Sequence, residues 1–217
     1  MKCAAKYTRA KNARDTTAAE FVACLDAVTG TALRKFGFGR DRLQDMYDRT
    51  QRALSDVMIK CMAADTTEAI RIDCDDGDGL RDTAETAIWD MRGDLMLCGF
   101  DYFAESARMK WRDPYEGRYI PQSIRSLHDS RIVWCENVEH IANVYILNVL
   151  VYAHTERGFG RARLTTLHDM IRGGYNEYIE TWLRCTPRDE KMCADFIKQR
   201  MDALESIGLE TEDLKGE

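Results

Sequence analysis

Apolar residues recur at helical spacing through most of the chain, and the pattern predicts an all-α fold. Phe21, Cys24, Leu25, Val28, Ala32, Leu33 and Phe36 mark a first helix over 17–36. Thr17-Ala18-Ala19-Glu20 reads as its capping box, with Thr17 as N-cap and Glu20 at N3. Gly37-Phe38-Gly39 stops it, because paired glycines allow the positive φ of a tight reversal. A second helix is expected from about Arg40 to Ala63, burying Leu43, Met46, Tyr47, Leu54, Val57 and Met58. Together the two make an αα-hairpin. A short helix then starts at Asp65, and a longer one covers 83–111, with Gly93 and Gly99 marking a bend or a close helix contact.

The segment from Arg112 to Pro121 is the longest break in the pattern. It is the candidate boundary between an N-terminal half, 1–113, and a C-terminal half, 114–217, of one body. A long helix is expected over 123–156. Its second half, Ile141 to Val151, is apolar nearly all round and belongs at the centre of a bundle. Gly158-Phe159-Gly160 ends it. A helix over 161–172 then stops at Gly173-Gly174, and a shorter one runs through Trp182 and Leu183. A last helix opens with Thr186 as N-cap and Pro187 at N1 and ends near Ile207-Gly208. The pattern amounts to a bundle of about six to eight helices.

One stretch occurs twice. Phe36-Gly37-Phe38-Gly39-Arg40-Asp41-Arg42-Leu43 and Arg157-Gly158-Phe159-Gly160-Arg161-Ala162-Arg163-Leu164 share Gly-Phe-Gly-Arg-x-Arg-Leu. Aligning Gly37 with Gly158 also pairs Val28 with Val149, Ala32 with Ala153 and Asp48 with Asp169. Identities on both sides of the loop point to a duplicated helix-loop-helix unit, with pseudo-two-fold packing as the expected consequence. Structurally, the glycines make the turn, the Phe plugs the hairpin, and Leu43 or Leu164 begins the next buried stripe. Chemically, each copy presents free backbone N–H groups at a helix N-terminus beside two arginines. Helix N-termini attract anions, and the guanidinium fork matches phosphate. Gly39, Arg40 and Arg42 with Gly160, Arg161 and Arg163, flanked by Phe38 and Phe159, are therefore the candidate anion-binding residues.

Composition narrows the classes. The net charge of -6 argues against coating duplex DNA or an anionic membrane. Eight cysteines stand at irregular spacing with no C-x-x-C, and no leader-like apolar segment follows Met1. They read as reduced thiols of a cytoplasmic protein. The acidic loop Asp73 to Gly79 can be aligned with a calcium loop through Cys74, Asp76, Asp78, Asp82 and Glu85, but position 1 should be Asp. The plainer reading makes Asp82 the N-cap of the next helix, with Glu85 completing the box. No P-loop, G-x-S-x-G or H-E-x-x-H occurs. Glu136 and His140 lack a second Glu-x-x-His partner for a carboxylate-bridged metal pair. His154 and His168 flank the second loop and could converge with Asp169. No cofactor is expected, and a binding role is preferred over catalysis.

The duplicated unit resembles a group of small helical proteins encoded by phages and prophages of gut Firmicutes, which carry a helix-FGFG-x-[KR]-[RK]-L-helix core. The second copy departs from it, with Arg157 in place of the first Phe. The resemblance spans about 40 residues per copy, leaves the middle of the chain unaccounted for, and implies a phage origin. With it come expected partners: a nucleotide-type immune signal held between the arginines, or a host defence protein such as a nuclease blocked in the manner of an anti-CRISPR protein. A nucleotide-degrading enzyme is the third expectation, and a homo-oligomer is left open.

Overall fold

Seven helices form among residues 2–69, 78–185 and 190–206, the part of the chain that this computed structural model describes. They are α1 (Lys2–Arg34), α2 (Arg40–Ala69), α3 (Asp78–Met96), α4 (Tyr102–Arg108), α5 (Gln122–Thr155), α6 (Arg161–Arg184) and α7 (Glu190–Glu205). No strand occurs among the described residues, and the fold is an all-α bundle. The centre is α5, where Tyr145, Ile146, Leu147, Val149 and Leu150 are fully buried. Its two asparagines do not contradict that position. Asn143 accepts the Tyr102 hydroxyl at 2.7 Å, and Asn148 donates to the Val144 carbonyl one turn back at 3.0 Å. Around α5 pack α2, α3 and α6, while α1 lies against α6 and α7. Helices from before and after residue 113 therefore pack on one another. None of the described helices is long and apolar enough to cross a membrane.

Several expected boundaries move. The helix α1 runs through Thr17 from Lys2, so the predicted capping box starts nothing. The segment 2–16 contains neither Gly nor Pro and is rich in Ala, Lys and Arg, all good helix formers. Helix α2, also free of Gly and Pro, continues to Ala69 and absorbs the helix expected from Asp65. The helix expected over 83–111 is two, α3 and α4, broken at Gly99. Helix α3 begins at Asp78, so Asp78, Asp82 and Glu85 lie in a helix and not in a calcium loop. Cys74 and Asp76 lie outside the described residues, as do Thr186, Pro187 and the acidic tail beyond Ser206.

The predicted stop at Gly173-Gly174 is also absent, since α6 continues to Arg184. A glycine in a helix interior costs about 1 kcal/mol, too little to break a helix that tertiary contacts hold. Space explains Gly174. A Cβ there would lie 2.9 Å from Cγ1 of Val28, so its bareness lets α1 and α6 approach. Gly30 does the same on α1, where a Cβ would clash with the Tyr47 hydroxyl and meet Leu204 of α7 at 2.7 Å.

One charge-capable group lies at the heart of this packing. Asp26 of α1 is fully buried, and its Oδ1 accepts the Tyr145 hydroxyl at 2.5 Å. Its carbonyl accepts the Tyr47 hydroxyl at 2.6 Å, which ties α1, α2 and α5 together. Its Oδ2 has no partner within the protein. Burial raises the carboxyl pKa from 3.8 to about 7, against the opposing effect of the Tyr145 hydrogen bond.

Two outcomes follow from this packing. The raised acid pKa means that the folded state holds the Asp26 proton more tightly than the unfolded one. Stability is then greatest below pH 3.8 for this group and declines as pH rises to about 7. Asp26→Asn keeps the shape and removes that decline. In paired urea titrations its advantage over the parent should grow by a few kcal/mol between about pH 4 and 7 and level off above. A pH-independent difference would contradict this. Separately, Gly174→Ala should destabilise by about 1–3 kcal/mol through the Val28 clash. Gly173→Ala, which meets only the end of Met109 at 3.8 Å, should be neutral or stabilise by up to about 1 kcal/mol.

Candidate functional site

The duplicated motif folds as two helix reversals that touch. In the first, Gly37 takes φ +79°, its N–H bonds to the Arg34 carbonyl at 2.9 Å, and the Phe38 N–H reaches the Leu33 carbonyl at 3.3 Å. This pair of bonds is a Schellman C-cap with glycine at C′. In the second, Gly158 takes φ +64° and bonds to the His154 carbonyl at 3.0 Å, while Phe159 reaches back to Ala153 at 3.0 Å. The second turn thus closes one residue wider. His154 Nδ1 lies 2.8 Å from the Phe159 carbonyl and donates to it, bracing that turn. His154 is spent on this contact and does not join His168.

The phenylalanines bring the reversals together. Phe38 and Phe159 are both buried. Phe159 lies 5.1 Å from Phe36 and 6.2 Å from Phe38, edge to face with the latter. Arg157, the departure from the motif, is explained by the same contact. Its guanidinium sits over Phe38 at 6.0 Å and Tyr152 at 5.3 Å, donates to the Tyr152 hydroxyl at 2.7 Å, and pairs with Asp45 at 3.6 Å. The Tyr152 hydroxyl in turn donates to Asp45 at 2.6 Å. Arg49 and Glu156, 3.1 Å apart, close the same seam between α2 and the end of α5.

The four motif arginines stand outside this seam. Arg40, Arg42, Arg161 and Arg163 are all exposed, as are Gly39 and Gly160. Among the described residues, Arg42, Arg161 and Arg163 have no ion pair, and Arg163 lies over the Phe159 ring at 5.6 Å. Gly160 is the N-cap of α6 and provides no side-chain cap. The first intrahelical bonds are Leu43 to Gly39 and Leu164 to Gly160, each 3.1 Å, so the N–H groups of residues 40–42 and 161–163 precede them. The structure thus places two helix N-termini and their arginines on neighbouring turns. Phe38 and Phe159 face inward and position these groups.

A third turn of the same kind was not visible as a repeat. Gly99 takes φ +78°, bonds to Met96 at 3.0 Å, and Phe100 reaches Leu95 at 3.1 Å, with the Phe100 ring fully buried. Asp101 replaces the second glycine and caps α4, accepting from the N–H groups of Phe103 and Ala104. A Cβ on Gly99 would lie 3.8 Å from Arg161 Cδ, so this turn adjoins the second one. The usable signal was Gly-Phe followed by an N-capping Asp.

Beneath these turns α4, α5 and α6 enclose a polar cluster. Arg172 is buried and paired with Glu139, yet its Nε and Nη1, Glu139 Oε2 and the Tyr175 hydroxyl have no partner within the protein. Burial raises the Tyr102 pKa, an effect that the Arg172 charge reduces. His168 lies in the same region with Ser106, Asp169 and Arg108. His128, elsewhere, pairs with Asp113 at 3.0 Å. No metal-competent group of three His, Cys, Asp or Glu exists among the described residues, Glu136 and His140 included.

No family model, no curated protein and no solved structure matches the chain.

If the turns are held by their phenylalanines, Phe159→Ala should cost about 3–5 kcal/mol in urea unfolding. Arg42→Ala and Arg161→Ala should each stay within about 0.5 kcal/mol of the parent. Comparable losses at all three positions would show that the arginines are structural.

Proposed function

We propose that the chain is a phage-encoded binding protein whose paired turns capture an anionic, nucleotide-type ligand and withhold it from host defence. The observation that carries this reading is the contact of Phe159 with Phe36 and Phe38, which sets two arginine-bearing helix N-termini side by side. Three of those arginines have no ion pair among the described residues, so a ligand phosphate would replace water rather than a protein carboxylate. Guanidinium forks and aligned backbone N–H groups both favour phosphate oxygens. The phage origin and the defence target rest on the motif's resemblance alone.

A second reading, a protein–protein inhibitor, draws on a different patch. Trp89 is 58% exposed and stands 5.4 Å from the half-exposed Phe103, with the Arg92 guanidinium over both rings. Trp and Arg are the residue types that dominate binding hot spots. For such an inhibitor the acidic clusters Asp73 to Asp78 and Glu205 to Glu217 would mimic nucleic acid, and most of both lies outside the described residues.

Calorimetry against cyclic nucleotides and ADP-ribose-type ligands separates the two. The first reading expects saturable binding that weakens about tenfold or more in an Arg161→Ala/Arg163→Ala double variant and falls with salt. Absence of binding at high micromolar ligand would sink it. Inhibition of a host nuclease that is lost in Trp89→Ala but kept in the arginine variant would favour the second.

A further inference from the structure

Ser106, His168 and Asp169 stand in one hydrogen-bonded line that the turn face does not use. Ser106 lies on α4, and the other two are consecutive on α6. Ser106 Oγ is 3.4 Å from His168 Nε2, and His168 Nδ1 is 3.3 Å from Asp169 Oδ1. The imidazole is fully buried and held by the rings of Phe100 and Tyr102 at 6.0 and 5.8 Å. Burial lowers its pKa, while the hydrogen bond and charge of Asp169 act the other way. The ring is accordingly neutral at neutral pH. With Nδ1–H assigned towards Asp169, the Nε2 lone pair faces the Ser106 hydroxyl.

Arg108 pairs with Asp169 and, at 2.9 Å, with Glu105, fixing the carboxylate from the solvent side. Ser106 itself is half-buried. A histidine that only filled space would need its nitrogens satisfied by any partners. Here hydroxyl, imidazole and carboxylate come in the order that activates a nucleophile, through opposite ring nitrogens.

We propose that these residues form a nucleophilic relay acting on a carboxylic ester, with Ser106 as nucleophile, His168 as general base and Asp169 orienting the imidazole. Ser106 Oγ attacks the carbonyl carbon as its proton passes to His168 Nε2. The ester C–O bond then breaks, and the departing alkoxide takes that proton. Water, deprotonated by the same nitrogen, releases the acid and returns Ser106 to its hydroxyl form. The activity is separate from anion capture at the turns and uses none of the motif arginines.

The test is covalent labelling of the full chain by a fluorophosphonate. The Ser106 Oγ–P bond forms, the P–F bond breaks, fluoride leaves, and the hydroxyl proton goes to His168. Peptide mapping by mass spectrometry should find one adduct, on Ser106, that Ser106→Ala abolishes. Asp169→Asn should slow its formation about a hundredfold or more. Asp169 is partly exposed and Asn preserves its volume, so circular dichroism of that variant should match the parent. No adduct, an adduct on another residue, or an unchanged rate in Asp169→Asn would overturn the relay. Nucleotide binding that persists in Ser106→Ala would leave the turn face standing in any of these cases.

Discussion

The contact of Phe159 with Phe36 and Phe38 pins one end of the bundle. It joins the reversal between α1 and α2 to the reversal between α5 and α6, so two hairpins far apart in sequence share one end of the bundle. Phe38 and Phe159 each follow a glycine that adopts positive φ, which lets the chain turn tightly enough to send the Phe inward and the next helix N-terminus outward. Arg157 shows how the duplicated units have diverged. Where the first copy has Phe36, the second has a cation that stacks on Phe38 and pairs with Asp45, binding one turn to the other's helix.

Below the turns the core is apolar but not purely so. Asp26, Tyr47 and Tyr145 link three helices through two hydrogen bonds, and buried Arg172 with half-buried Glu139 adds an ion pair between α5 and α6. Such groups stabilise little, because desolvation offsets much of their attraction. Their geometric demand is strict, however, and they restrict how α1, α2, α5 and α6 can be registered against one another. A scaffold so registered keeps the motif arginines and the Ser106–His168–Asp169 line in fixed places.

Local patterning carried the sequence reading as far as local physics reaches. The apolar run from Ile141 to Val151 identified the central helix, because only a buried helix tolerates apolar residues all round. The repeated glycines identified both reversals. Thr17 misled, since a capping box marks a start only where the preceding residues do not themselves favour helix. Gly173-Gly174 misled for the opposite reason: Gly174 answers to Val28 of another helix, which no local pattern records. The turn at Gly99 was hidden because Asp101 takes the capping place that glycine holds in the repeats. His168 and Asp169 were legible as neighbours, but Ser106 lies 62 residues from His168 and joins it only through the packing of α4 on α6.

The two duplicated turns meet through their aromatic rings, and that contact should couple them energetically. A double-mutant cycle with Phe38→Leu, Phe159→Leu and the double variant, followed by urea unfolding, tests it most directly. A favourable coupling of about 0.5–1.5 kcal/mol between the two rings is expected. Additive losses, with no coupling beyond experimental error, would mean that the turns do not support one another and would remove the shared face from under the proposed site.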